Sequence, residues 1–172
     1  MKKLFVLFVL AVTGFQSYAQ TGDLFFGAVG GYNAKYENFM YGLNASYHLT
    51  NPVEISFTGL MSPKISVEEY TEKSELKIYS TELNLRYYML LQRTWGMGPF
   101  IGGQYMCVNE KFLNGSSSTN TTNAIGFNLG WHMRADITEN IKLNGGWRYT
   151  SANEEKSHHL FYVGLGYTFN LY

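Results

Sequence analysis

A chain of 172 residues suits one domain, and a formal net charge of zero excludes both a basic nucleic-acid surface and an acidic solvating tail. Charged residues make up 15%, against the roughly 25% usual in soluble domains, while aromatics reach 17%, with 14 Tyr, 12 Phe and 18 Gly. A mean hydropathy of -0.17 excludes a bundle of membrane helices and leaves strands that are apolar on one side only.

The N-terminus carries the one strongly hydrophobic run. Met1-Lys2-Lys3 is a positive start, Leu4 to Val12 an apolar stretch, and Ser17-Tyr18-Ala19 puts small residues where a signal peptidase reads. The run is too short to cross about 30 Å of hydrocarbon. Residues 1–19 are therefore expected to be a cleaved export signal, with residues 20–172 forming the mature domain. No Cys lies near the cleavage point, which closes the lipoprotein route. Cys107, the single cysteine, can form no internal disulfide and is expected to be a small buried hydrophobe.

Beyond the signal, no stretch keeps a period near 3.6, whereas period-two alternation recurs. The first segment, Leu24 to Ala34, is Gly-rich, and the apolar neighbours Phe25 and Phe26 leave its facing open. The second sets Phe39, Tyr41, Leu43, Ala45, Tyr47 and Leu49 against Met40, Gly42, Asn44, Ser46 and His48. The third sets Val53, Ile55 and Phe57 against Glu54, Ser56 and Thr58, after a tight turn at Thr50-Asn51-Pro52. A polar loop is expected from Pro63 to Ser74, with Glu68, Glu69, Glu72, Lys73, Glu75 and Lys77 giving it an acidic bias. In the fourth segment Tyr79, Leu83, Leu85 and Tyr87 oppose Ser80, Glu82, Asn84 and Arg86. Met89 to Gly98 then forms a connection containing Trp95.

The fifth segment, Phe100 to Asn109, has no polar face; Ile101 and Tyr105 are taken as outward. Glu110 to Asn123 is expected to be a loop whose run from Gly115 to Thr122 is mobile. The sixth segment alternates most cleanly, with Ile125, Phe127, Leu129, Trp131 and Met133 against Gly126, Asn128, Gly130, His132 and Arg134. A short turn at Asp136 to Asn140 leads to the seventh, where Ile141, Leu143, Trp147 and Tyr149 oppose Lys142, Asn144, Gly146 and Arg148. After a loop from Ala152 to His158, the last sets Phe161, Val163, Leu165, Tyr167, Phe169 and Leu171 against Tyr162, Gly164, Gly166, Thr168 and Asn170. The connections alternate short and long, as in an up-and-down barrel.

Alternation alone does not say which face points outward. A soluble barrel would need many Lys and Glu on its polar face, yet that face is mostly Gly, Asn, Ser and Thr with isolated charges. Such a face makes a poor aqueous exterior and a good filling for a narrow interior. The apolar face carries Tyr, Trp and Phe near strand ends, as interfacial girdles do. Ten residues at about 3.3 Å each, tilted about 45°, span roughly 23 Å, close to the apolar band of about 25 Å in membrane barrels. The expected fold is all-β, an eight-stranded antiparallel up-and-down transmembrane β-barrel.

The pattern resembles the small outer-membrane barrels of the outer-membrane protein A and X type. The closest stretch runs from Gly126-Phe127-Asn128-Leu129-Gly130-Trp131 through His132-Met133-Arg134, then Asn140-Ile141-Lys142-Leu143 to Trp147-Arg148-Tyr149. The C-terminal Gly164-Leu165-Gly166-Tyr167-Thr168-Phe169-Asn170-Leu171 is similar to the signal read by the barrel-insertion machinery, with Tyr172 as an added residue. The resemblance implies fold and location: a bacterial outer membrane, with its lipid and lipopolysaccharide and the insertion machinery as partners. Gly164, Gly166, Phe169 and Leu171 are the implied insertion signal.

The inward face collects Glu54, Glu82, Arg86, Arg134, Lys142 and Arg148, beside His48 and His132. A lone buried charge costs several kcal/mol, so Glu54 and Glu82 are expected to pair with Arg86, Arg134 or Arg148 across the lumen. Such pairs either plug the interior or gate a narrow ion path. Ser157-His158-His159, with Glu154 and Glu155 nearby, is the only cluster with nucleophilic-catalysis residue types, and proximity alone makes no triad. The reading is thus a non-enzymatic monomer with no cofactor, no metal and no nucleic acid. It has an envelope-structural or surface-interaction role through its loops, against the alternatives of a gated channel or a lipid-modifying enzyme.

Overall fold

A strand with one apolar edge to its pleat must find a partner on each side, and a closed ring leaves no strand at an edge. The computed structural model describes residues 22–69, 72–92, 94–112, 118–152 and 157–170. Among these lie β1 (Leu24–Asn33), β2 (Asn38–Thr50), β3 (Val53–Met61), β4 (Ile65–Glu69), β5 (Glu72–Tyr87), β6 (Met89–Gln92), β7 (Trp95–Phe112), β8 (Thr119–Asp136), β9 (Ile141–Ser151) and β10 (His158–Phe169). Consecutive barrel strands pair antiparallel, β5 joins β3 to β7, and β1 pairs β10 to close the ring. The result is a closed eight-stranded barrel, as the alternation implied. The extra segments are continuations. β4 resumes β3 past Pro63, which has no N–H for the ladder, and β6 resumes β5 past Tyr88, whose N–H turns to the Pro52 carbonyl at 2.6 Å.

The turns follow local chemistry. The Asn33 side-chain oxygen accepts from the N–H groups of Lys35 and Tyr36, and Glu37 takes a positive φ of 47°, which together fold the β1–β2 connection. At the other end, the Thr138 hydroxyl accepts from the Ile141 N–H at 3.0 Å and starts β9.

The apolar face points outward, with Phe39, Leu43, Phe57, Leu83, Phe127 and Val163 all exposed. β1 is settled by packing: Phe25 is 1% exposed in the lumen and Phe26 is 50% exposed outside. The Phe25 ring fits because Gly27 and Gly166 face each other across the β1–β10 seam, and a Cβ on either would meet it. On β7, Ile101 and Tyr105 point out while Phe100 and Met106 are buried. Both faces of this strand are apolar because Phe100 lies over Gly130, and Met106 joins an apolar luminal layer with Val29, Met40, Leu60, Ile78, Ala124 and Leu160. A Cβ at Gly130 would meet the Phe100 ring and the Trp147 carbonyl. Gly130→Val is expected to cost about 1–3 kcal/mol of overpacking, seen as a smaller heat-resistant fraction on a gel. Equal resistance to the parent would show that the ring moves aside freely.

Three expectations need correction. Thr119 to Thr122, expected in a mobile loop, belong to β8 and pair with Lys111, Glu110, Asn109 and Val108 of β7. β5 likewise begins at Glu72, inside the expected Pro63–Ser74 loop, and β6 and β7 occupy most of the expected Met89–Gly98 connection. Thr119 to Thr122 and the start of β5 are polar because no apolar face is needed where a strand stands clear of lipid, so hydropathy does not reveal them. Third, Cys107 is only half-buried, on the outward side of β7, with its thiol 3.6 Å from the Asn109 side-chain oxygen. The export signal, the Gly115–Ser117 part of the low-complexity run, Glu154, Glu155, Leu171 and Tyr172 lie outside the described residues.

Strand tilt lifts one wall. The register running from Gly30 through Tyr41, Met61, Tyr79 and Cys107 to Asn123 climbs around the barrel. β5, β7 and β8 therefore rise beyond β1, β9 and β10, and β4 pairs with the outer end of β5.

Candidate functional site

Two features have chemistry to offer: the filled lumen and the raised sheet. In the lumen, the Glu54 carboxylate is fully buried and takes the Arg86 guanidinium at 2.8 Å on Oε1 and that of Arg134 at 2.7 Å on Oε2. His48 Nε2 lies 3.5 Å from Oε2. Register brings them together, since Glu54 sits opposite Arg86 on β5 and His48 on β2. Arg134 reaches across from β8 and is held by four further contacts. Its Nε donates to Asn144 at 3.1 Å, its Nη2 lies 3.4 Å from the Ser46 hydroxyl, and its guanidinium sits 5.0 Å from the ring centres of both Phe25 and Tyr88. An arginine ion-paired, hydrogen-bonded and stacked in this way has its remaining desolvation cost offset by fixed partners.

A second pair, Glu82 with Arg148, lies nearer the long loops. Asn84 donates to Glu82 at 3.4 Å, Asn128 donates to Asn84 at 3.1 Å, and the Thr150 hydroxyl is 2.8 Å from both the Asn128 and Gln104 side-chain oxygens. The chain crosses the lumen from β5 to β9, so these side chains act as one buried network. His132 Nδ1 sits 2.9 Å from the Tyr162 hydroxyl, with Tyr88 edge-on to the His132 ring. Among these groups there is a cavity of about 20 Å³, room for roughly one water molecule. Above it the seven-residue apolar layer spans the lumen.

Of the residues singled out from sequence, Glu54, Arg86 and Arg134 meet in one cluster, and Glu82 and Arg148 meet in another. Lys142 joins neither. It faces inward near the short turns and holds Asp136 at 2.9 Å. Gly164 and Gly166 line the seam with β1, Phe169 is exposed at the end of β10, and Leu171 is not among the described residues. Ser157, His158 and His159 do not converge. The Ser157 hydroxyl bonds to the Ala152 backbone, His158 is buried, and His159 stacks outside on Trp147 and Tyr149. Sequence reasoning missed Phe25, Tyr88 and the apolar layer, because an apolar residue on a polar face looks like noise until its neighbours across the lumen are known.

The raised sheet is the second feature. β8 pairs with β7 from Thr119 to Ala135, but with β9 only from Phe127 onward. Among the described residues, the stretch from Thr119 to Gly126 therefore has no strand partner on its β9 side, and Ile125 is 79% exposed beside it.

A family model described as outer membrane protein beta-barrel domain matches residues 5–169. No curated protein sequence matches. Similar solved structures include the N-terminal barrel domain of OprF from Pseudomonas aeruginosa, at TM-score 0.60 and 19% identity, covering 87% of this chain and 98% of that one. Ail, the attachment invasion locus protein of Yersinia pestis, follows at 0.59 and 13%, covering 87% and 100%. OprG from Pseudomonas aeruginosa gives 0.62 and 13%, covering 91% and 99%.

Proposed function

The chain belongs to the outer membrane protein β-barrel domain family, and from that premise we propose that it is a non-conducting, non-enzymatic anchor for the sheet it raises above the membrane. The observation that carries this reading is the β8 stretch from Thr119 to Gly126, which has no strand partner on its β9 side among the described residues and so offers its backbone groups to an extended partner strand. The similarity to Ail, an attachment invasion locus protein, supports an interaction role at that surface. Residues 1–19 act as the cleaved export signal, and Gly164, Gly166, Phe169 and Leu171 form the signal read during insertion. The barrel works as a monomer in lipopolysaccharide-bearing membrane.

The experiment shortens β7 and β8 by replacing residues 108–122 with an Asn-Gly turn between Cys107 and Asn123, which already face each other. Cells displaying the parent are expected to attach to a protein-coated surface at least tenfold better than cells displaying the shortened chain, with both barrels heat-resistant. Equal attachment would remove the sheet from the function.

The rival reading is a narrow path gated by the Glu54 and Glu82 pairs. The apolar layer and the roughly one-water cavity weigh against it, because an ion passing there would lose its hydration without replacement ligands. In planar bilayers the parent and Glu82→Ala are both expected to give quiet traces. Unitary steps appearing in Glu82→Ala would establish the gate instead.

A further inference from the structure

The buried charges of the lumen do not cancel. Towards the short turns, Asp136 holds Lys142, and the half-buried Asp23 interacts with His48, Lys142 and Arg134, so that end carries its own counter-charges. In the fully buried stretch beyond it, three guanidiniums, Arg86, Arg134 and Arg148, face two carboxylates, Glu54 and Glu82. Glu54 is taken on one oxygen by Arg86 and on the other by Arg134, and Glu82 holds Arg148. With His48 and His132 counted as neutral, one positive charge is left over there. Protonating either histidine would only add to it.

The surplus lies at the cavity of about 20 Å³. Arg86, Arg148, Glu82 and Asn144 form its polar side, while Phe100 and Leu160 are part of its apolar side. Arg86 uses Nη1 on Glu54, and Arg148 uses Nη1 on Glu82. Arg86 Nε and Arg148 Nε and Nη2 are buried with no hydrogen-bond partner among the described residues. A buried donor left unpaired costs more than an ordinary hydrogen bond contributes, and an unneutralised buried charge costs more again.

We propose that this cavity holds one dehydrated monovalent anion of halide size, chloride under ordinary conditions, between Arg86 and Arg148. An ion that only accepts can take N–H groups from two guanidiniums at once, and its charge cancels the surplus. Water is the nearest competitor. It also fits a cavity of this volume, but it brings no charge and can accept from at most two donors. Size and charge reject other anions. Sulfate and phosphate carry four oxygens and are too large for a space of about one water molecule. A divalent ion would exceed the single surplus charge and meet the Glu82 carboxylate. The apolar layer on one side and the Arg134 cluster on the other enclose the ion as the barrel closes, so it does not make the lumen conduct. Nothing in the site involves the raised sheet, so the anion and the surface role can fail separately.

The test is urea unfolding of the purified protein in neutral lipid vesicles, at constant ionic strength, with chloride exchanged for gluconate, which is too large for the cavity. An ion bound only by the folded state lowers the unfolding constant about tenfold for each tenfold rise in chloride above its dissociation constant. Asn144→Asp sets a carboxylate in the cavity wall and keeps an oxygen for Arg134 Nε. It is expected to match the parent in high chloride and to show no chloride dependence. Arg148→Met removes the surplus charge itself and should lose the dependence too. Crystals of protein refolded in bromide should show one anomalous peak between Arg86 and Arg148. A parent whose unfolding constant stays within about twofold from about 1 to about 300 mM chloride would overturn the proposal and assign the cavity to water. An Asn144→Asp barrel less stable than the parent in chloride and gluconate alike would overturn it as well. So would bromide found only outside the lumen.

Discussion

Glu54→Ala is expected to destabilise the folded barrel by about 3–5 kcal/mol, because it leaves two buried guanidiniums facing each other without a carboxylate. Glu54 is 0% exposed, and Arg86 and Arg134 are 4% and 7% exposed, so water replaces little of what the carboxylate supplied. Glu54→Gln keeps an acceptor for one arginine and should fall between parent and alanine. Replacing all three together, Glu54→Leu with Arg86→Met and Arg134→Met, should recover most of the loss, since a buried triad is often no better than apolar side chains of like volume. Urea unfolding in lipid vesicles, followed by tryptophan emission, reads all four proteins. An alanine variant within 1 kcal/mol of the parent would mean the cluster is hydrated and does not hold the lumen closed.

Leu43→Arg is the second large effect. Leu43 lies mid-strand on β2, is 55% exposed and faces lipid, between Ala28 on one side and the outward Gly59 on the other. An arginine there enters the hydrocarbon near its centre and should cost about 2–4 kcal/mol. The neighbouring position gives the contrast. Asn44 is buried, and its amide donates to the Thr58 hydroxyl at 2.7 Å. Asn44→Ser keeps a polar group in the lumen and should cost about 1 kcal/mol, the worth of an ordinary hydrogen bond. If Leu43→Arg proved no more costly than Asn44→Ser in the same vesicles, the outward face would not be in lipid.

The two substitutions probe what alternation made legible. β8 shows it best. Phe127, Leu129 and Trp131 outward and Asn128, His132 and Arg134 inward follow from a period of two and from a polar face too poor in charge to meet water. The same reasoning left β1 open, because Phe25 and Phe26 are adjacent and equally apolar. Only the Gly27–Gly166 seam shows that the lumen has space for one of them. Luminal pairing was legible as a need and not as a map. Three arginines were candidate partners; register across β3 and β5 gave Glu54 to Arg86, Arg134 reached it across the lumen from β8, and Arg148 went to Glu82. The raised strands were hidden for the opposite reason. Hydropathy reports strands only where one face meets lipid or core, and Thr119 to Thr122 meet neither.

By itself the sequence determined an exported-looking, all-β chain with an apolar exterior, because side-chain direction in a strand is a local property of the backbone. Which arginine meets which carboxylate, which phenylalanine fills the lumen and which wall stands above the membrane were decided by tertiary structure alone. Those depend on strand tilt and register around a closed ring, and no single strand carries that information.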